Sequence, residues 1–234
     1  MDVGPQDYER LLRAIGEVAE EVASVDLWKT EPESEASREI KALTSDGLGL
    51  ITENSVRTAY SAAQMGVHVC VQHARAASEI VKLDISPMSL EVLARATIDV
   101  AAATWWMTEE RIGARRRVCR LQLLRINSAM ELKKVTDQSG VTNDDGKYGE
   151  SEADVINYSQ QLGIAPFHNA PGLGVNSGCE QDVRPSYTAR ARALLDSYGV
   201  PPVYAMYSGS THGSSGQFGD ILKRIKTRLI EPIR

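Results

Sequence analysis

Tyr204, Ser208 and His212 have the most specific spacing of any reactive side chains in the sequence. They recur at i, i+4 and i+8, so a helix would place all three on one face. A phenol, a hydroxyl and an imidazole aligned in this way can bind a phosphate group or relay a proton. The alternative is a polar seam, in which the same groups hydrogen-bond across a helix interface. Both interpretations remain open at this point.

A second pair, Arg95 and Asp99, is spaced i, i+4 within a stretch of mostly apolar residues. A charged pair in such a setting must be satisfied if it is buried. It therefore predicts either an anchor for a ligand or a structural ion pair. The candidate binding residues are Arg95, Asp99, Tyr204, Ser208 and His212, and no catalytic residue is assigned.

The group of residues most similar to a metal-binding cluster is His68, Cys70 and His73. Their spacing of i, i+2 and i+5 spreads them around a helix, and no second cluster completes a zinc site. We therefore expect no metal and no cofactor, and we expect His73 to meet Arg95 or His212 across a helix interface. Three widely separated cysteines without a CxxC pair favour reduced thiols.

A run of arginines includes Arg115, Arg116, Arg117, Arg120 and Arg125. Such a run can form a contact surface for RNA or phosphate. It is more commonly a solvated helix face with local ion pairs, here to the preceding Glu109 and Glu110. We favour the solvated face.

Apolar residues recur with a period of 3.6 along most of the chain, which predicts helices. Gly66 lies inside one of them at a cost of about 1 kcal/mol relative to alanine, which predicts close helix packing there. No strand alternation of useful length is present, so the predicted fold is an all-α antiparallel bundle. The predicted helices span residues 6–25, 36–44, 52–83, 86–111, 114–135, 151–162, 185–198, 202–212 and 218–229.

Residues 136–184 differ from the rest because Gly, Asn, Asp and Ser are dense there. We expect an irregular insertion at 136–184 within a single domain spanning 1–234. Only residues 151–162 look helical in this region, with Ser151 and Asp154 in capping-box spacing. The glycine-rich segment 171–178 lacks the lysine of a phosphate-binding loop, so it is interpreted as a flexible loop.

The net charge of −5 gives no general support for nucleic-acid or membrane binding. The first residues lack the apolar core of a secretory signal, and the longest weakly polar stretch, 98–107, is too short to span a bilayer. We expect a cytoplasmic protein without a membrane association.

Several segments resemble those of a group of uncharacterised bacterial helical proteins: SLEVLARATIDVAAATWWM, RRRVCRLQLLR, RPSYTARARALLDSYG and VYAMYSGSTHG. More distantly, the arrangement resembles the HEPN-like helical bundles. That resemblance implies a helical fold, often dimeric, and in many members ribonuclease activity or a role in defence systems. The arginine that precedes the catalytic histidine by four to six residues in those proteins is missing here. The resemblance therefore supports the fold better than nuclease activity.

Three functions remain open at the level of sequence, and the sequence does not decide whether the protein is an enzyme. The first is a binding or interaction module with a polar pocket formed by the candidate residues. The second is a HEPN-like RNA-processing enzyme that uses His212 with Arg95. The third is a structural bundle whose polar seam fixes helix register. An RNA or protein partner and a homodimer are both compatible with these functions.

Overall fold

The computed structural model describes residues 32–46, 50–82, 87–110, 112–140, 149–169, 172–176 and 181–199, together with residues 10, 13, 14, 16, 17 and 21. The helices with described bounds are α1 (Glu35–Asp46), α2 (Glu53–Lys82), α3 (Pro87–Thr108), α4 (Gly113–Ser139), α5 (Glu152–Gln161) and α6 (Tyr187–Ser197). Three short strands, β1 (Ala165–Asn169), β2 (Gly172–Asn176) and β3 (Gln181–Val183), lie between α5 and α6. The described part of the chain is thus predominantly helical, and the predicted all-α class is confirmed.

The helix ends follow the local capping chemistry. Ser151 caps α5, because its Oγ accepts a hydrogen bond from the Asp154 amide at 3.1 Å and donates one to Asp154 Oδ2 at 2.6 Å. Ser186 caps α6 in the same way by accepting from the Ala189 amide at 3.1 Å. At the other end of α4, Gly140 adopts a left-handed conformation with φ of 67°. The predicted cap at Ser151 is confirmed, and α4 runs four residues further than predicted.

The three strands form an antiparallel sheet in the order β1-β2-β3, which the sequence analysis did not anticipate. The glycine-rich segment interpreted as a flexible loop contains β2, so that interpretation is wrong for Gly172–Asn176. Leu173 and Val175 are buried and anchor this strand. Gly174 pairs with Phe167 across the strands, and a Cβ on it would lie 2.4 Å from the Phe167 ring. The missing side chain therefore makes room for the aromatic ring.

The described residues group into two compact units. The first holds those between residues 65 and 105, those between 186 and 199, and the positions before residue 22. The second holds those between residues 32 and 64 and between 106 and 185. Helices α2 and α3 contribute residues to both, and the single domain remains a prediction.

The first unit has a small core formed by α3 and α6. Ala102 and Ala191 are fully buried against each other, and half-buried Ile98, Leu194 and Leu195 pack around them. The second unit holds most of the buried apolar side chains. They include Val56, Val118, Leu123, Ile126, Val155, Ile164 and Val175.

No helix within the described ranges is long and apolar enough to cross a membrane.

Helices α2 and α3 approach closely at Gly66 within the first unit, as its position in the sequence predicted. A Cβ at Gly66 would lie 2.0 Å from Thr104 Oγ1. We therefore expect Gly66→Ala to lower the free energy of unfolding by about 1–3 kcal/mol through overpacking, although alanine is the better helix former. Urea unfolding followed by circular dichroism measures this. The double variant Gly66→Ala/Thr104→Ala should recover part of the loss, and an unchanged single variant would show that the helices can separate without cost.

Candidate functional site

Helix α4 is buried on every side over about two turns, because residues 117–123 are all buried. A helix in that position is normally apolar all round. This one nevertheless buries two arginines, Arg117 and Arg120, together with Gln122 and Asn127. Since an unpaired buried charge is strongly destabilising, the arginines require partners from other segments.

Arg117 is 1% exposed and holds three segments together. Its Nε and Nη2 donate to the Glu39 carboxylate of α1 at 3.2 and 3.0 Å, and its Nη1 donates to the Met107 carbonyl oxygen at 2.7 Å. The guanidinium lies over the Tyr60 ring of α2, with Cζ 4.8 Å from the ring centroid. Glu35, one turn before Glu39, lies 3.5 Å from Nη2. Burial alone would lower the pKa of Arg117, but the Glu39 hydrogen bonds and the surrounding negative groups raise it.

Tyr60 completes this arrangement because its hydroxyl donates to Glu39 at 2.9 Å. Burial raises the pKa of Tyr60 well above its ordinary value of 10.0, Arg117 opposes the shift, and the Glu39 carboxylate adds to it. The Glu39 carboxylate thus accepts hydrogen bonds from three donors, two on Arg117 and one on Tyr60.

Asp182 of β3 serves two further arginines of α4. Arg116 Nε and Nη2 donate to its two oxygens at 2.8 and 3.2 Å, and Arg120 Nε lies 3.8 Å away. Arg120 also donates through Nη1 to the Trp106 carbonyl oxygen and, at 2.6 Å, to Glu109. Its guanidinium lies over the Trp106 ring, with Cζ 4.8 Å from the centroid. Because Asp182 is buried, water cannot take the place of its carboxylate beside these arginines.

Further along α4, Arg125 makes a similar but more exposed contact with a carboxylate and an aromatic ring. Arg125 donates through Nε and Nη2 to Glu150 and lies over the Tyr158 ring, with Cζ 5.1 Å from the centroid. Arg125 Nη1 and the Ser159 hydroxyl lie 3.3 and 3.2 Å from Gln122 Oε1. These contacts attach α5 and the residues before it to α4.

We call the full set the arginine network: Arg116, Arg117, Arg120 and Arg125 with Glu39, Glu109, Glu150 and Asp182. Each of the four guanidiniums pairs with one of these carboxylates, and half-exposed Glu35 adds a further one beside Arg117. The pair with Glu109 confirms the expected local ion pair. The interpretation as a solvated face is wrong for Arg117 and Arg120, which are 1% and 5% exposed. Sequence spacing did not reveal the roles of Glu39, Tyr60 and Asp182, because these residues lie far from the arginines along the chain. The available signal was Glu39, a carboxylate that faces inward on α1.

Arg95 and Asp99 form the predicted pair on α3, with Nε and Oδ2 4.0 Å apart. Their side chains are 28% and 27% exposed, so the pair lies at the edge of the protein and not in the interior. The other three candidate residues, Tyr204, Ser208 and His212, lie outside the described residues. Their convergence with Arg95 and Asp99 therefore remains a prediction.

His73 meets α3 at a residue that the sequence analysis did not name. Its Nδ1 lies 3.1 Å from Thr97 Oγ1, and that hydroxyl donates its hydrogen to the Leu93 carbonyl oxygen at 2.7 Å. Nδ1 must therefore be the donor in this pair. The Cys70 thiol lies 3.8 Å from the Thr97 carbonyl oxygen, and burial raises the pKa of Cys70. Among the residues that the structure describes, no group of three or more His, Cys, Asp or Glu side chains is placed to hold a metal ion.

Comparisons with protein-family models, with curated proteins and with solved structures found no match to this chain. The resemblance to HEPN-like bundles consequently remains a prediction, and the function has to be argued from the geometry.

The buried and exposed ion pairs of α4 allow a matched comparison. We expect Asp182→Asn to lower the free energy of unfolding by about 1–3 kcal/mol, because it removes a buried carboxylate that accepts two hydrogen bonds from Arg116 and lies 3.8 Å from buried Arg120, while Arg120 keeps its pair with Glu109. Glu150→Gln removes the same charge from a half-exposed pair on the same helix and should cost less than about 1 kcal/mol. Denaturant unfolding of both variants beside the wild type measures the difference. Equal losses would mean that the burial of Asp182 does not matter.

The raised pKa of Tyr60 gives a pH dependence with a defined sign. Because the folded pKa exceeds the ordinary value of 10.0, the protonated phenol favours the folded state. This contribution is present in full below about pH 10 and is lost as the pH rises further. Tyr60→Phe should therefore reduce the decline of stability above pH 10 by up to about 1.4 kcal/mol per pH unit. Urea titrations from about pH 8 to about pH 11 span the ordinary tyrosine pKa and test this. Identical slopes of the unfolding free energy against pH in the wild type and Tyr60→Phe would contradict it.

Proposed function

We propose that the chain is an interaction module that associates with a second copy of itself through one face of α3. The observation that carries the proposal is the partial exposure of this helix. Of its 22 residues only Glu91, Arg95 and Asp99 are charged, yet between residues 89 and 105 only Glu91 and Ala102 are buried. An apolar helix that remains partly exposed is typical of a protein interface.

Two faces of α3 pack against other helices of the first unit. Ile98 and Ala102 pack toward α6. Thr97 and Thr104, about 20° apart around the helix, face His73 and Gly66 of α2.

The third face carries Val92, Ala96, Asp99 and Ala103, which recur at i, i+4, i+7 and i+11. Val92 is 57% exposed, and the other three are partly exposed. The two alanines permit a neighbouring helix to approach closely. This face, with Arg95 at its edge, is the proposed interface.

The charges on this face are self-complementary. In a two-fold symmetric contact, residue i of one copy meets residue j of the other, and the reverse contact forms as well. Two copies of α3 crossing between residues 95 and 99 would place each Arg95 opposite the partner's Asp99. The pair within each chain, with 4.0 Å between Arg95 Nε and Asp99 Oδ2, would then become part of a four-charge cluster.

Mixing two charge variants tests the interface. Arg95→Glu gives a face with two acidic residues and Asp99→Lys gives one with two basic residues, so each alone should be monomeric because like charges meet across the two-fold axis. An equimolar mixture should form a heterodimer, which pairing within one chain cannot produce. Sedimentation velocity of the wild type, the two variants and the mixture measures this. A monomeric wild type, or a mixture that does not associate, would refute the proposal.

A matched pair of valines provides the control. Val92→Glu should abolish association, whereas Val135→Glu on α4, which replaces a valine 61% exposed, should leave it unchanged. Circular dichroism of both variants establishes that they fold.

The RNA-processing hypothesis assigns its chemistry to Arg95 and His212, and it receives less support because Arg95 pairs with Asp99 on α3 and His212 lies outside the described residues. The small-molecule pocket depends on Tyr204, Ser208 and His212 and stays a prediction. A monomeric wild type that cleaves RNA and loses this activity on His212→Ala would favour the enzyme over the interaction module.

A further inference from the structure

In the second unit, a buried contact joins Glu39 of α1 to Arg117 of α4 and Tyr60 of α2. The donors and the acceptor of this contact come from elements of different burial. Arg117 and Tyr60 belong to α4 and α2, and Arg117 Nη1 is fixed independently by the Met107 carbonyl oxygen. The acceptor, Glu39, belongs to α1.

Helix α1 is peripheral by comparison. None of its side chains between Glu35 and Leu43 is buried as a whole residue; each is half-buried or exposed. The Glu39 side chain is 10% exposed, whereas Glu35 on the same face is 46% exposed. The carboxylate that accepts from Arg117 and Tyr60 is therefore far more enclosed than the other carboxylate on this face of α1.

The donor set has the geometry of an oxyanion cradle. Arg117 Nε and Nη2 present the edge of the guanidinium that binds carboxylate and phosphate in a bidentate manner. The Tyr60 hydroxyl adds a third donor from one side. If Glu39 left, this edge would keep its orientation, because Nη1 remains on Met107 and the ring of Tyr60 remains beneath the guanidinium.

We infer that the Nε–Nη2 edge of Arg117, with the Tyr60 hydroxyl, is a phosphate site that Glu39 occupies in cis. A ligand carrying a phosphate group displaces Glu39, and α1 detaches from α4 as it binds. The site is thereby autoinhibited: α1 competes with the ligand, and the apparent affinity is reduced by the fraction of molecules in which α1 is docked. This inference does not depend on the α3 interface.

The test compares two carboxylate-to-amide variants of the full chain that change the net charge equally. Glu39→Gln weakens the docking of α1, whereas Glu150→Gln weakens the exposed pair of Arg125 on the same helix α4. Calorimetric titration with inorganic phosphate, and separately with a short single-stranded oligouridylate, measures binding. We expect Glu39→Gln to bind at least one of these probes about tenfold more tightly than both the wild type and Glu150→Gln, since one charge-assisted pair no longer competes. Tighter binding of inorganic phosphate only would identify a free anion as the ligand. Tighter binding of the oligonucleotide only would identify a nucleic-acid backbone.

A measurement on the wild type keeps the inference testable if Glu39→Gln does not fold. Hydrogen exchange should become faster in residues 35–46 when the bound probe is present at saturating concentration, while residues 117–123 of α4 stay protected. Equal affinities of Glu39→Gln and Glu150→Gln for both probes would overturn the inference. So would an exchange rate in α1 that does not change with either probe, because Glu39 would then be a permanent partner of Arg117.

Discussion

The pairing of buried guanidiniums on α4 is the constraint on which the second unit depends. A helix enclosed on all sides would be simplest to stabilise with apolar side chains, but this one places Arg117 and Arg120 in the interior. Each charge can remain there only if a carboxylate and a carbonyl oxygen are brought to it. The positions of α1, of β3 and of the turn between α3 and α4 therefore follow from the positions of two arginines.

The same pairing explains how a small sheet belongs to a predominantly helical unit. Asp182 lies on β3, and its carboxylate holds Arg116 while lying near Arg120. The neighbouring strand β2 adds buried Leu173 and Val175 to the apolar core. The sheet is thus attached both by charge and by apolar burial, and α5 is attached next to it through Ser159 and Gln122.

The helices could be predicted from the sequence because their signals are local. Apolar periodicity and the cap at Ser151 both depend on residues within one or two turns. The sheet was missed because its strands are only three to five residues long, and because Gly174 looks like a loop residue until Phe167 is known to cover it. The arginine network was missed for a different reason. Arg116 and Asp182 are 66 residues apart, and no spacing rule connects them.

The pairing of these guanidiniums with carboxylates has a consequence for how the sequence can change over evolutionary time. Loss of one member of a buried pair leaves its counterpart uncompensated, so most single substitutions at positions 117 and 182 are expected to be destabilising. A change at these positions is expected to be best tolerated when a second, compensating substitution occurs at the partner position in a distant codon. Positions 39 with 117 and 116 with 182 should therefore vary together among descendants of this chain, whereas positions 125 and 150, whose pair is exposed to solvent, are free to drift apart.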